Sequence, residues 1–327
     1  DCDEAIDDDD DSLDGTSRST WYPDDDGDGF GRTADAFEAC DPGSGHTDQG
    51  DDCDDTTARV NPNALEVCDG LDNDCDDTTL DAGIGFDDGT AVDDITALAA
   101  GTAGTPSTYA FTRDGTATIC PGTWYASWNI EAEVTLQSRD GNANEVTIEA
   151  DGAGSVITVA NEGRSAVVKD MTLTGGLAPN GGGVHCSATT TSALTLDGVR
   201  IDRNAATDSG GAIRTEGCDL TLRNALLVDN DAIHGGGLAF ARGTLTVEDT
   251  TVMGNVATAT AGAFVISDAT ATFDEVDVHD NSAGGSGGVA VERSELTWTG
   301  TASTPSGATA NAESGGLGGG LYLSDAV

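Results

Sequence analysis

The chain has 327 residues, with 59 acidic side chains against 13 basic ones and a formal net charge of −46. A surface so short of cations excludes the phosphate-neutralising face that nucleic-acid binding needs. No run of about 18 apolar residues offers a membrane span. The charge is also uneven: 32 of the 59 carboxylates fall between Asp1 and Asp94, opposed only by Arg18, Arg32 and Arg59. Such a segment repels itself unless something neutralises it. A disordered acidic tail, a halophile-type acidic surface and a set of bound cations all fit the composition, so the spacing has to decide.

Eight cysteines stand at positions 2, 40, 53, 68, 75, 120, 186 and 218, five of them inside the acidic segment. A segment poor in apolar residues and dense in cysteine reads as a disulfide-stabilised module of an oxidising compartment. Zinc is the rival, but Cys53, Cys68 and Cys75 lack the close C-x-x-C pairs of zinc ribbons. The chain opens within a motif (Asp1-Cys2-Asp3) and stops just after an apolar Leu321-Tyr322-Leu323, so both ends read as cuts.

In chain order, the first strong motif is Asp24-Asp25-Asp26-Gly27-Asp28-Gly29-Phe30. Read as a calcium loop, Asp24, Asp26 and Asp28 take the first three alternate ligand positions. Gly29 makes the turn, Phe30 offers a backbone carbonyl, and Asp35 falls where a closing carboxylate belongs. Alternate spacing suits calcium because a tight turn aims every second side chain at one point. No helical pattern flanks the loop.

A second cluster runs from Asp51-Asp52-Cys53-Asp54-Asp55 to Leu71-Asp72-Asn73-Asp74-Cys75-Asp76-Asp77. Asp72, Asp74 and Asp76 alternate, with Asp81 downstream. Asp52 and Asp54 form another alternating pair, to which Glu66 could return a carboxylate. Asp1-Cys2-Asp3-Glu4 matches Asp74-Cys75-Asp76-Asp77, which makes Asp1 and Asp3 the tail of an earlier copy and the segment an internal repeat of roughly seventy residues.

The string D-D-C-D-D…P-x-A-x-E-x-C-D-G-x-D-N-D-C-D resembles the metal-binding repeat of the MopE type, found in large secreted and surface proteins of bacteria. The resemblance covers about residues 1 to 85 and implies calcium-binding, disulfide-bonded spacer modules, although the founding member is associated with copper. Asp77 stands where that family usually has glycine. With one histidine (His46) and many hard oxygens, the donor set suits calcium rather than copper. Cys40 with Cys53 and Cys68 with Cys75 is the preferred pairing, each closing a short loop around a cluster, although four cysteines allow three connectivities. Cys2 is expected to pair with a residue upstream.

Residues 86–107, rich in Gly, Ala, Thr and Asp, read as a linker or cap. Residues 108–327 then repeat. Ala193-Leu194-Thr195-Leu196 recurs at Asp219, Thr244, Thr270 and Glu295, in steps of 25 or 26 residues, and asparagine keeps the step at Asn204, Asn230, Asn255 and Asn281. Within each unit apolar and polar residues alternate as in strands. Strands this short bury a face only when turns stack. The fold class is therefore all-β: a right-handed parallel β-helix of about eight coils, roughly 40 Å long at the spacing of paired strands. The asparagines form a hydrogen-bonded corner ladder, and Cys186 and Cys218 lie near enough on neighbouring coils to bridge. Cys120 has no evident partner. The first coils resemble pectate-lyase-type β-helices, and the later G-G-x-[VIL]…N pattern resembles repeats of polymorphic outer-membrane proteins and related bacterial surface β-helices.

Such folds include polysaccharide lyases and hydrolases. Here Asp202, Arg203, Asp229, Asp231, Asp249, Asp277 and Asp280 recur at corner positions. His185, His234 and His279 share no coil position. Several of the few aromatic residues (Trp124, Tyr125, Trp128, Phe240 and Trp298) occupy ladder positions. No catalytic site is expected. The sequence reads as an extracellular, calcium-binding structural protein of a bacterial cell surface, a segment of a fibre, filament or adhesin-like rod. Its partners would be copies of itself end to end or other surface components. A polysaccharide-binding or polysaccharide-degrading β-helix is the alternative.

Overall fold

A computed structural model of the chain describes residues 18–78, 81–299, 307–309, 312–313 and 320–325. They belong to two compact units, Asp1–Gly83 and Ile84–Val327. The expectations placed on Asp1, Cys2 and Asp3 lie outside the described residues.

In the first unit, strand Ser19–Pro23 pairs antiparallel with Phe37–Ala39 on one side and His46–Thr47 on the other. Among its described residues, one 3-10 turn, Thr33–Asp35, and otherwise irregular chain accompany these strands. Its buried apolar residues among those described are Ala39, Val60 and Cys68, while Asp52, Asp55 and Asn73 are buried beside them. Hydrophobic burial is the main favourable term in folding. A unit with so little of it must be held by covalent and ionic constraints instead.

The second unit is a β-solenoid of about 7 turns, about 26 residues each. One turn consists of a long bent strand and two short ones: Ile213–Arg223, Leu226–Val228 and Asp231–Ala232. The next repeats it as Leu238–Glu248, Thr251–Met253 and Val256–Ala257. Successive turns pair in parallel, so Val184, Ile213, Leu238, Phe264 and Val289 stand in one register column. Leu196, Leu222, Val247, Phe273 and Trp298 form another. Alternate residues of a strand face one side, so the columns are continuous stacks within the core. Phe264 meets Phe273 at 5.1 Å, and Phe273 meets Trp298 edge-on at 5.1 Å. Trp128 and Phe240 are likewise buried.

There are about seven turns where eight are expected. Ile84–Asp87 is spent on an antiparallel cap with Val92–Asp94 and Gly115–Ile119. The register step from Val289 to Leu321 also takes 32 residues rather than 25 or 26. Residues 86–107 are thus a folded cap. Phe86 packs on Phe111 at 5.9 Å and Phe111 on Trp128 at 5.7 Å, and the Trp128 indole donates to the Ala99 carbonyl at 2.7 Å.

Corners recur in register. Arg203, Asp229, Gly254 and Asp280 all have positive φ, each one residue before a ladder asparagine. Asn224, Asp249 and Glu275 do the same at the preceding corner. Asp and Asn tolerate this left-handed conformation better than most residues, so several of the recurrent carboxylates occupy backbone corners. The ladder asparagines are buried, and the Asn230 side chain donates to the Ile201 and Val228 carbonyls at 2.9 and 3.0 Å. Cys186 and Cys218 are disulfide-bonded across adjacent turns, with their Cα atoms 6.3 Å apart.

Candidate metal centre

The loop after Tyr22 is shaped by its own aspartates. Asp24 accepts the N–H groups of Gly27 (2.7 Å) and Gly29 (3.2 Å), Asp26 accepts that of Asp28 (3.2 Å), and Asp28 accepts that of Phe30 (2.8 Å). Gly27 and Gly29, at φ +83° and +96°, supply the left-handed turns. The loop is zipped to a later segment by backbone bonds from Asp24 to Gly45, Gly31 to Gln49 and Asp52 to Gly31. A side chain on Gly31 would collide with the Pro23 carbonyl, so glycine there permits the close approach. The zipper carries Asp52 and Asp55 to the loop, about thirty residues away in sequence.

Two groups of carboxylates result. One is Asp24, Asp26 and Asp55; the other is Asp26, Asp28 and Asp52. Within each, one oxygen per residue lies within 4.8 Å of the others. Glu66, Asp72 and Asp74 make a third group on the same criterion. The fit to a cation rests on the buried oxygens. Asp52 is 6 % exposed and Asp55 2 % exposed, and in each the Oδ2 atom is buried without a hydrogen-bond partner, as is Oδ2 of Asp26. Burying anionic oxygens without a counter-charge is costly. Burial, reinforced by the charge of Asp28, raises the Asp26 carboxyl above its ordinary value, and burial followed by Asp28 and Asp55 does the same to Asp52. The nearby cation is Arg32, which approaches Asp25 (3.3 Å), Asp35 (3.2 Å) and Asp55 (3.5 Å).

Several expected ligands are placed elsewhere. Asp35 sits in the 3-10 turn, ion-paired to Arg32 and outside the three groups, because that short turn directs it away from the loop. Asp54 also stays outside: the chain turns tightly after Asp52, whose Oδ1 accepts the Asp54 N–H, and the Asp54 carboxylate accepts the Thr56 hydroxyl. Asp55 takes the place expected of Asp54. Glu66 joins Asp72 and Asp74 rather than Asp52, since its Oε1 accepts the N–H groups of Asn73 (2.7 Å) and Asp74 (3.1 Å). Asp76 accepts the N–H and hydroxyl of Thr78, which lower its pKa, and Asp81 accepts the N–H groups of Asp69 and Gly70. Phe30 contributes its N–H to Asp28. Asn61 steadies Asp28 through a 2.9 Å side-chain bond that the sequence did not signal.

The expected pairing of Cys40 with Cys53 and Cys68 with Cys75 is overturned. Cys53 is bonded to Cys75, because the return of the chain at Asn61, whose N–H meets the Asn73 carbonyl at 2.8 Å, brings residues 53 and 75 together. Cys40, Cys68 and Cys120 are disulfide-bonded as well. Disulfides of this density belong to a chain folded outside the reducing cytoplasm. Among the described residues, no helix is long and apolar enough to cross a membrane.

Compared with known proteins, residues 52–79 match the family model Cu-binding MopE, described as a "Putative metal-binding motif". The match takes in Asp52, Asp55, Glu66, Asp72 and Asp74, while the loop from Asp24 to Phe30 lies outside it. No curated protein and no solved structure matches the chain. The metal-binding motif and the β-solenoid are consistent with a structural protein.

Proposed function

We propose that this chain is an extracellular structural protein in which the acidic unit is a calcium-loaded, disulfide-bonded module and the solenoid is the scaffold. The observation that carries this reading is the convergence of buried carboxylate oxygens of Asp26, Asp52 and Asp55 that accept no hydrogen bond, in a unit with almost no apolar core. Calcium suits it because the donors are hard oxygens and calcium takes six to eight of them in flexible geometry. His46, the one imidazole of this unit, packs edge-on against Phe37 at 5.0 Å and belongs to none of the three carboxylate groups, which argues against copper. When bound, the ions supply positive charge; the chain's own residues orient the oxygens and exclude water.

The solenoid's role is mechanical in this reading. Asp229 and Asp280 serve as left-handed corners, and Asp202 is ion-paired to Arg200 at 2.8 Å, so no catalytic step is assigned to them. The finer form of the proposal places the protein at a bacterial cell surface, with copies adding end to end. It takes support from Leu321 and Leu323, exposed on the strand that pairs with Val289–Glu292. Negative-stain microscopy of purified protein in millimolar calcium tests this form. Filaments that shorten on chelation are expected, and single short particles at every calcium concentration would refute end-to-end addition.

A further inference from the structure

The first two carboxylate groups are not independent, because Asp26 belongs to both. Asp24 and Asp55 complete one group, and Asp28 and Asp52 the other. We propose that this region holds two divalent cations side by side, bridged by the Asp26 carboxylate, a reading that rests on the metal-loaded module proposed above.

Three features of the chain lead to this arrangement. The first is the distribution of unpartnered oxygens. Asp26 keeps Oδ2 free of donors and is common to both groups; Asp52 keeps Oδ2 free on one side, and on the other Asp55 Oδ2 accepts no hydrogen bond and meets Arg32 Nε at 3.5 Å, a guanidinium shared with Asp25 and Asp35. A single ion at Asp24, Asp26 and Asp55 would leave the buried Asp52 Oδ2 without a counter-charge, and one at Asp26, Asp28 and Asp52 would leave the buried Asp55 with only its share of Arg32, which is costly.

The second feature is charge. The five carboxylates of the two groups, with Asp25 and Asp35, carry seven negative charges around one guanidinium, Arg32. Two doubly charged ions reduce the remaining six to two, whereas one ion would leave four uncompensated in a small, partly buried space.

The third is construction. Asp24, Asp26 and Asp28 come from one tight loop, and Asp52 and Asp55 from a segment tied to it by the Asp52-to-Gly31 backbone bond. The Asp25 N–H further donates to Asp55 Oδ1 at 2.7 Å, which ties Asp55 to the loop. Both ions would therefore clamp residues 24–28 to residues 52–55, and only the latter lie in the family-matched segment. A carboxylate shared between two cations typically holds them about 4 Å apart, as in two-metal sites.

The test counts calcium ions on the full chain by native mass spectrometry and calorimetry. Wild type is expected to bind three: two here and one at Glu66, Asp72 and Asp74. Asp24→Asn and Asp28→Asn should each lose one ion, and Asp26→Asn two. A wild-type count of two, with all three variants losing the same single ion, would overturn the bridged pair and leave the metal-loaded module standing. A count of zero would overturn both. As a readout independent of whether the Asp26 variant folds, terbium can be loaded into a Glu66→Gln, Asp74→Asn chain and europium added. A shortened terbium emission lifetime is expected from neighbouring ions, and an unchanged lifetime would contradict the pair.

Discussion

Cys53 and Cys75 are disulfide-bonded with their Cα atoms 5.7 Å apart, and each directly follows a carboxylate of a different candidate metal group, Asp52 and Asp74. One covalent link thus constrains both ends of the acidic module. It also restricts an unfolded chain that has little apolar surface to bury.

Replacing both cysteines by serine should lower the stability of this module by about 3 kcal/mol, the usual worth of a loop of this size, at a sequence separation of 22. Calcium should bind more weakly at both groups together. Melting curves with and without calcium check this. Weakening at one group alone would mean that the disulfide does not couple them.

The raised pKa values of Asp26 and Asp52 set a pH dependence. A carboxyl whose folded value exceeds the unfolded one binds its proton more tightly in the folded state, so its contribution is present at low pH and lost as pH rises through the folded value. In chelator, these two residues should make the acidic unit less stable at pH 7 than near pH 4. With calcium the order should reverse, because the ion needs the ionised forms. Hydrogen exchange of residues 18–78 at the two pH values reads this directly.

Asn230 Oδ1 accepts both the backbone N–H and the side-chain Nδ2 of Asn204, at 3.0 and 3.1 Å. Asn230→Ala would leave the Asn204 backbone N–H without its acceptor and take one donor from the Ile201 and Val228 carbonyls, while Asn204 Nδ2 keeps the Leu173 and Asp202 carbonyls and Val228 keeps the Arg203 N–H. At about 1–3 kcal/mol per orphaned buried group, a loss of about 2 kcal/mol in solenoid stability is expected. Asn230→Asp should be no better, since it turns an acceptor toward those carbonyls. Denaturant unfolding measures both, and a loss below about 1 kcal/mol would mean the ladder is dispensable.

Much of the solenoid was legible because every turn repeats one environment. The 25- or 26-residue steps of Asn204, Asn230, Asn255 and Asn281 coincide with stacked corners, and the alternation around Leu220 and Leu222 with buried columns. The metal groups were only half legible. Asp24, Asp26 and Asp28 are local, and local spacing identified them. Asp55 was missed in favour of Asp54 because the choice depends on the turn after Asp52 and on a backbone zipper that no periodicity encodes. The Cys53–Cys75 bond was missed for the same reason: it follows a long-range return of the chain at Asn61 and Asn73.

Glu162 shows that an exposed carboxylate can also pin two turns together. It accepts the N–H groups of Thr189 and Thr190 and both their hydroxyls, which hold its pKa down at about 2. A depressed carboxyl stabilises the fold above its unfolded value, near 4.5, and loses that contribution as pH falls toward 2. Glu162→Gln should therefore lower the solenoid melting temperature at pH 7 and leave it almost unchanged at pH 2. Equal effects at both pH values would point to packing rather than charge.

The most direct test of the metal-loaded module is a calcium titration of the full chain, following bound-ion stoichiometry and melting temperature against a chelated control. Bound ions, with a melting transition of the acidic unit that rises with free calcium as mass action requires, are the predicted result. No binding at millimolar calcium and no shift in melting would contradict it, and would leave Asp26, Asp52 and Asp55 as an acidic cluster that holds no cation, with the β-solenoid reading intact.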